Sequence, residues 1–271
     1  MKKKKLKVKN NSFDIRFLNL KWYITSVILK ILIVNFAMSA FIIGCFFDDN
    51  QYHQLMFFTE QSNFLALIVT IISLFLVVNE GTNSVKKFTP ALEKARFTVA
   101  ILVSITCLIF ICILMPVGLI ENDPGAGNFK WDEIILHAVV PPLVVIDVLI
   151  FNNNFVITKK DILISISFMT FYLGFIIFAF YTNLSFNPNY PELHNYPYFF
   201  MNFNSHTGWF GIDFHFEGNV SHDKNAIGSF YWILFLLALV LSLGFAWRHI
   251  MNRQTVKHLK IIRRMNKNIQ H

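Results

Sequence analysis

The residues whose types suggest chemistry stand at the start of an apolar segment, in "FFTEQSNFLALIVTI" at 57–71. A threonine hydroxyl such as that of Thr59 is a weak nucleophile unless a base removes its proton, and neutral imidazole is the usual base near pH 7. The histidine that suits this task is His137, in "KWDEIILHAVVPPLVVIDVLIF". A Thr59–His137 pair in a dry pocket that opens sideways to lipid is suited to attack the ester of a membrane-dissolved acyl chain.

Neighbours of Thr59 offer a donor for the negative oxygen that such an attack creates. Asn63 lies one turn further along the same helix face and is the first candidate; Ser62 and Gln61 are weaker ones. A structural interpretation stands beside this one. Threonine in a span commonly bonds its own helix backbone, and a lone histidine usually makes an interhelical hydrogen bond.

The composition predicts where these residues lie. Of the 271 residues, 55% are hydrophobic and 15% are charged, and the mean hydropathy is +0.50. A soluble domain carries about 25% charged residues. The apolar residues form long runs instead of periodic stripes, which is typical of an integral membrane protein.

Six segments are long enough to cross about 30 Å of hydrocarbon. The sequence therefore predicts an all-α integral membrane protein with six transmembrane helices in a single domain, 22–247. The predicted spans are Trp22–Phe47, Leu55–Val78, Phe97–Ile120, Ile134–Phe151, Ile162–Tyr181 and Phe230–Trp247.

The distribution of basic residues predicts the orientation. On one side lie 21 of the 24 Lys and Arg residues, in the tail 1–21, the loops 79–96 and 152–161, and the tail 248–271. By the positive-inside rule this side is cytoplasmic, so both termini are expected inside a cell membrane. The basic tails then serve as orientation signals that touch anionic lipid, and a nucleic-acid partner is not expected.

This topology brings the two chemical residues to one depth. The second and fourth spans both enter from outside. Thr59 is expected about 6 Å below the outer edge, and His137 about 9 Å below the interfacial Trp131.

Two charged residues lie inside predicted spans. Lys30 is in the inner half of the first span, and Asp147 is in the inner half of the fourth, at comparable depth. An unpaired charge near the midplane costs about 3 kcal/mol. We therefore expect a structural Lys30–Asp147 ion pair; a proton or ion path is the alternative.

The external loop 182–229 is too aromatic for a freely solvated segment, and we expect it to fold back onto the bundle. Its Tyr196 and Tyr198 offer hydroxyls above the outer pocket, although interfacial anchoring is the simpler account. No metal site is expected, because the spacing of its histidines and acids does not match one: these are His194, His206, His215, His222, Asp213 and Glu217.

Three blocks carry a resemblance to a known family. "FFTEQSNFLALIVTIISLF", "LHAVVPPLVVIDVLIF" and "NYPYFF" resemble segments of the androgen-induced-gene family of six-helix membrane hydrolases, most of all its uncharacterised bacterial relatives. Characterised members are threonine hydrolases that cleave fatty acid esters of hydroxy fatty acids. The resemblance implies that Thr59 and His137 are the catalytic pair.

The sequence thus predicts hydrolysis of a lipophilic carboxylic ester, with Thr59 as nucleophile, His137 as base and no cofactor. The expected partners are membrane lipid and the ester substrate. One alternative is a transporter or binding protein for a small solute or lipid, with the same polar cluster as its site. Another is a non-catalytic scaffold. The oligomeric state is left open.

Overall fold

The computed structural model describes residues 20–47, 54–80, 89–116, 131–151, 155–186, 196–213 and 227–269. Within these ranges the regular structure is helical, and the only β pairing is an isolated bridge between Ile212 and Ile227. Six of the described helices are long and apolar enough to cross a membrane. The predicted all-α, six-span, multi-pass membrane architecture is confirmed.

The spanning helices follow one another along the chain, and the third and fourth each contain one wider π turn. They are α1 (Leu20–Phe47), α2 (Phe58–Glu80), α3 (Thr89–Ile109, then the π turn Phe110–Leu114), α4 (Trp131–Ile134, the π turn Ile135–Val139, then Val140–Ile150), α5 (Lys159–Tyr181) and α6 (Ser229–Ile269).

The third helix is the centre of the bundle. Its apolar window is 61% buried, against 22–39% for the other five, and it contacts α2, α4, α5 and α6. The outer faces of the bundle carry large apolar side chains, among them Phe171, Phe75 and Phe178. Such exposure suits a surface that faces lipid hydrocarbon and not water.

The bounds of the third span differ from the prediction. The helix begins at Thr89 and not at Phe97, so Glu93 and Arg96 lie inside it and are buried. The sequence placed them in a cytoplasmic loop because isolated charges are rejected by hydrocarbon. They are tolerated because Arg96 Nη1 lies 2.8 Å from Glu93 Oε1, one turn away.

The sixth helix also extends beyond its predicted end. It runs for 41 residues to Ile269, about 60 Å, through most of the segment predicted as a separate basic tail. Its carboxyl-terminal part contacts the segment before α5, where Asn252 Nδ2 and Arg248 Nε both donate to the carbonyl of Ile157, at 2.9 and 3.1 Å. Residues 1–19 of the amino-terminal tail lie outside the described residues, and its last two residues begin α1.

The described part of the loop 182–229 packs onto the bundle, as predicted. Phe200, Met201 and Phe203 are buried, which places them inside the molecule and not at a membrane interface. His206 Nε2 lies 2.9 Å from Asp213 Oδ2 at the exposed side of this loop. The other residues considered for a metal lie outside the described residues: His194, His215, His222 and Glu217.

Candidate functional site

The fourth helix is distorted next to His137, and two prolines explain the distortion. Pro141 and Pro142 have no N–H to donate, and a proline ring clashes with the carbonyl one turn earlier. The helix widens into the π turn Ile135–Val139, in which the N–H of Val140 donates to Ile135, five residues back. In this register the carbonyl of Leu136 would bond residue 141, which is proline, so it needs another donor.

That donor is Asn63 of α2. Its Nδ2 group donates to the carbonyl of Leu136 and to the carbonyl of Thr59, both at 2.9 Å, and the side chain is fully buried. Because both amide hydrogens are used, Asn63 is not arranged as the predicted oxyanion donor. It joins the helix turn of Thr59 to the residue that precedes His137.

The weaker candidates also have structural partners. Ser62 Oγ lies 2.9 Å from the carbonyl of Thr59 and 3.0 Å from Thr106 Oγ1. Gln61 Nε2 donates to the carbonyl of Leu55 at 3.0 Å, in the turn that leads into α2. Neither side chain points its donor at a reacting centre. Gln61, Ser62 and Asn63 therefore mainly hydrogen-bond backbone carbonyls around Thr59.

His137 is held in one tautomer by its own helix. Its Nδ1 lies 2.7 Å from the carbonyl of Glu133, and a carbonyl can only accept, so the proton is on Nδ1. In the neutral ring Nε2 then carries the lone pair that a general base needs. The ring is 9% exposed and lies against Phe110 in the π turn of α3, with 4.4 Å between ring centroids.

Thr59 faces a tyrosine from the loop 182–229. Its Oγ1 lies 3.4 Å from the hydroxyl of Tyr198, and the side chain is 4% exposed. Within the described part of the chain, no hydrogen bond joins Thr59 to His137. The structure therefore brings the two residues onto contacting turns, linked by Asn63, without making the predicted dyad.

A small cavity of about 20 Å³ lies beside Thr59. Its polar lining comes from Thr59, Thr106, Tyr172 and Tyr198, and the rest of the lining is apolar. A water molecule needs about 10–15 Å³ and two to four polar partners, so the cavity has room for one water or one carbonyl oxygen. His137 is not among the residues that line it.

Glu60, which follows Thr59 in the sequence, takes no part in these contacts. Its Oε2 is enclosed and has no hydrogen-bond partner among the described residues. An enclosed carboxyl oxygen without a donor costs free energy, so Glu60 lowers the stability of the fold at this position.

Tyr172 is the site residue that sequence reasoning missed. It is buried in α5, and its hydroxyl accepts the N–H of Phe58 at 2.9 Å, at the first turn of α2. Tyrosine within an apolar span usually has a hydrogen-bond partner when buried, which is the only sequence signal for it. Tyr198 was noted from sequence, but its contact with Thr59 depends on how the loop folds.

The end of the bundle remote from Thr59 contains a buried cluster of four charges. Lys30 Nζ lies 2.5 Å from Asp147 Oδ1, so the predicted ion pair is present. Arg96 Nη2 lies 3.0 Å from Asp147 Oδ2 and thereby adds the Arg96–Glu93 pair to the cluster. Two positively and two negatively charged residues, each at most 3% exposed, compensate one another.

No group of three or more metal-ligating side chains occurs in the ranges that the structure describes. Comparison with protein-family models, with curated proteins and with solved structures finds no match to this chain. The family resemblance of the three sequence blocks therefore stays a resemblance. The class defined by the fold is a six-helix, multi-pass membrane protein.

Proposed function

We propose that this chain is an intramembrane hydrolase of lipophilic carboxylic esters, with Thr59 as nucleophile and His137 as general base. The observation that carries the proposal is the bridge made by Asn63, which donates to the carbonyls of Thr59 and Leu136 at 2.9 Å. This bridge holds the helical turn that contains Thr59 against the turn that contains His137. The basic nitrogen of that histidine is Nε2, because Nδ1 donates to the carbonyl of Glu133.

The reaction proceeds in two steps. Thr59 Oγ1 bonds to the ester carbonyl carbon while its proton passes to His137 Nε2, and the carbonyl electron pair moves onto oxygen. Collapse of this intermediate breaks the ester C–O bond, and His137 returns the proton to the departing alcohol. Water then attacks the carbonyl carbon of the acyl-threonine while His137 takes a proton from it. The bond between that carbon and Thr59 Oγ1 breaks, His137 returns the proton to Oγ1, and the carboxylic acid and free Thr59 result.

The proton transfer requires Thr59 Oγ1 and His137 Nε2 to come within hydrogen-bond distance when an ester is bound. Catalytic hydrogen bonds are often long before substrate binds and tighten in the complex. The cavity at Thr59 has the volume of a carbonyl oxygen and not of an acyl chain. The chain of the ester then extends along the lipid-facing surface, where the α2 side chain of Phe64 is exposed.

The membrane setting that goes with this proposal is a cell membrane with both termini on the cytoplasmic side, which places Thr59 near the outer face. The described charges of the inner half give no support to a transport path. Lys30, Asp147, Arg96 and Glu93 are paired with one another and lie in a different half of the bundle from the Thr59 cavity.

The test is covalent labelling of the purified protein in lipid nanodiscs with a long-chain fluorophosphonate. We expect labelling of the unsubstituted chain and of Thr59→Ser, and loss of labelling in Thr59→Val and His137→Gln. Thr106→Val is the matched control, because Thr106 lines the same cavity and has no role in the proposed reaction. Circular dichroism and thermal unfolding confirm that each variant is folded.

Two results would overturn the proposal. One is a folded, unsubstituted chain that neither labels nor hydrolyses esters of any tested acyl length. The other is labelling that persists in Thr59→Val, which would place the reactive hydroxyl elsewhere.

A further inference from the structure

The hydroxyl of Tyr198 is positioned beside the candidate nucleophile. It lies 3.4 Å from Thr59 Oγ1, and both residues line the same cavity of about 20 Å³. A donor for the oxyanion must lie close to the nucleophile, because the developing negative oxygen is attached to the carbon under attack. Tyr198 meets this geometric requirement, whereas the amide of Asn63 is already used.

Tyr198 is held firmly although it belongs to a loop. Its ring is stacked on Phe200, with centroids 5.2 Å apart and planes 4° from parallel, and it meets the edge of Phe57 at 6.1 Å. Its carbonyl accepts the N–H of Met201 at 2.8 Å, which closes a short helical turn. Fixed donors are effective in catalysis because they need not reorganise during the reaction.

A second phenol lines the same cavity. Tyr172 OH accepts the N–H of Phe58 at 2.9 Å, and its ring lies 5.1 Å from the ring of Phe58. This bond uses a lone pair of the phenol oxygen, and the hydroxyl of Tyr172 is also hydrogen-bonded to that of Tyr198. A bound carbonyl oxygen must therefore replace Tyr198 as the acceptor of the Tyr172 hydrogen. The side chain is 2% exposed and therefore fixed by packing.

A phenol is useful as an oxyanion donor only while it keeps its proton. Burial of the hydroxyl raises the pKa of Tyr198 above its ordinary value, so it stays protonated at neutral pH. It is therefore a hydrogen-bond donor there and not a base.

We propose that Tyr198 and Tyr172 form the oxyanion pocket of this site, and that the cavity between them receives the carbonyl oxygen of the ester. The inference rests on the proposed hydrolase function and extends it. Two phenols from different elements replace the amide that the sequence suggested. The external loop is then part of the active site, because it supplies the phenol nearest to Thr59.

The experiment measures hydrolysis of 4-methylumbelliferyl oleate in nanodiscs by the unsubstituted chain, Tyr198→Phe, Tyr172→Phe and Tyr196→Phe. Loss of one oxyanion donor lowers kcat by about 100- to 1,000-fold. We expect such a fall for Tyr198→Phe and Tyr172→Phe with KM changed less than threefold, and no fall for Tyr196→Phe, which is buried in the same loop but does not line the cavity.

Inhibitor binding separates a catalytic role from a structural one. A long-chain trifluoromethyl ketone forms a tetrahedral adduct, so its affinity should fall in Tyr198→Phe in parallel with kcat/KM. Oleyl alcohol, which forms no oxyanion, should bind with unchanged affinity. Tyr172→Phe also removes the acceptor of the Phe58 N–H, so Tyr198→Phe is the decisive variant if Tyr172→Phe unfolds.

The outcomes distinguish this inference from the proposed function. If Thr59→Val is inactive and Tyr198→Phe keeps kcat within twofold, the oxyanion pocket is wrong and the hydrolase proposal stands. If ketone and alcohol lose affinity equally in Tyr198→Phe, the tyrosine only shapes the cavity and the inference is overturned. If Thr59→Val hydrolyses the ester normally, the hydrolase proposal itself fails.

Discussion

Lys30 of α1 and Asp147 of α4 form an ion pair within the bundle, with 2.5 Å between Nζ and Oδ1. Lys30 is 1% exposed and Asp147 3%. Arg96 completes the contact on the other carboxylate oxygen, at 3.0 Å. This relationship ties α1, α3 and α4 together at one depth.

Breaking the pair from one side should destabilise the fold. Asp147→Asn leaves Lys30 and Arg96 with only Glu93 to balance them, and an uncompensated buried charge costs about 3–5 kcal/mol. Adding Lys30→Met restores neutrality, so the double variant should recover most of the loss. Thermal unfolding in detergent and expression level measure both effects. A double variant as unstable as Asp147→Asn alone would contradict a structural pair.

Arg96→Lys should be destabilising although it preserves the charge. The guanidinium donates to Glu93 Oε1, Asp147 Oδ2, and the carbonyls of Asp147 and Phe151, at 2.8–3.1 Å. A lysine ammonium has three donors at one point and cannot reach all four acceptors. We expect a loss of about 2 kcal/mol or more, because buried carbonyls lose their donor. An unchanged free energy of unfolding in Arg96→Lys would show that the planar arrangement of the guanidinium donors is unimportant. The control is Lys94→Arg, at a half-exposed neighbouring position.

Asn63 and Pro141 should be energetically coupled. Asn63→Ala leaves the carbonyl of Leu136 without its donor, at a cost of about 1–3 kcal/mol. Pro141→Ala restores an N–H that can serve that turn, so Asn63→Ala should cost less in its presence. A double-mutant cycle of unfolding free energies should give a coupling of about 1 kcal/mol. Additive effects would mean that the proline does not create the need for Asn63.

Glu60→Gln should raise stability without lowering activity. The enclosed Oε2 has no partner among the described residues, and the amide of glutamine cannot ionise, so the cost of holding a carboxylate in this enclosed position is removed. A carboxylate on the residue next to Thr59 in the chain would also oppose an oxyanion, so kcat should hold or rise. Thermal unfolding and ester turnover are measured together. Loss of turnover in a folded Glu60→Gln would assign the role of base to Glu60 in place of His137.

The predicted orientation of the chain in the membrane can be tested by cysteine labelling in a variant whose native cysteines have been replaced. Asn204 and Lys159 are both exposed and belong to opposite ends of the bundle. With both termini cytoplasmic, Asn204→Cys should react with a membrane-impermeant maleimide on intact cells, and Lys159→Cys only after permeabilisation. The reverse pattern would invert the topology and place Thr59 near the inner face.

Local composition was sufficient to predict the six spans, because apolar runs of about 20 residues satisfy their backbone hydrogen bonds only as helices in hydrocarbon. The same logic misplaced the start of α3. Considered one at a time, the charges of Glu93 and Arg96 predict a loop outside the membrane. They lie in the buried helix because Arg96 forms ion pairs with both Glu93 and Asp147. Compensation between distant residues is invisible to a window along the chain.

The candidate site likewise has features that the sequence predicts and features that depend on the tertiary structure. The sequence by itself determined that polar residues open the second span, that His137 precedes two prolines, and that Lys30 and Asp147 need partners at one depth, since each follows from residue type and helical rise. Only the tertiary structure decided that Asn63 serves the Leu136 carbonyl and that Thr59 faces Tyr198 instead of His137. These contacts join helices and a loop distant in sequence, and their geometry depends on how the π turns and the folded-back loop pack around α2.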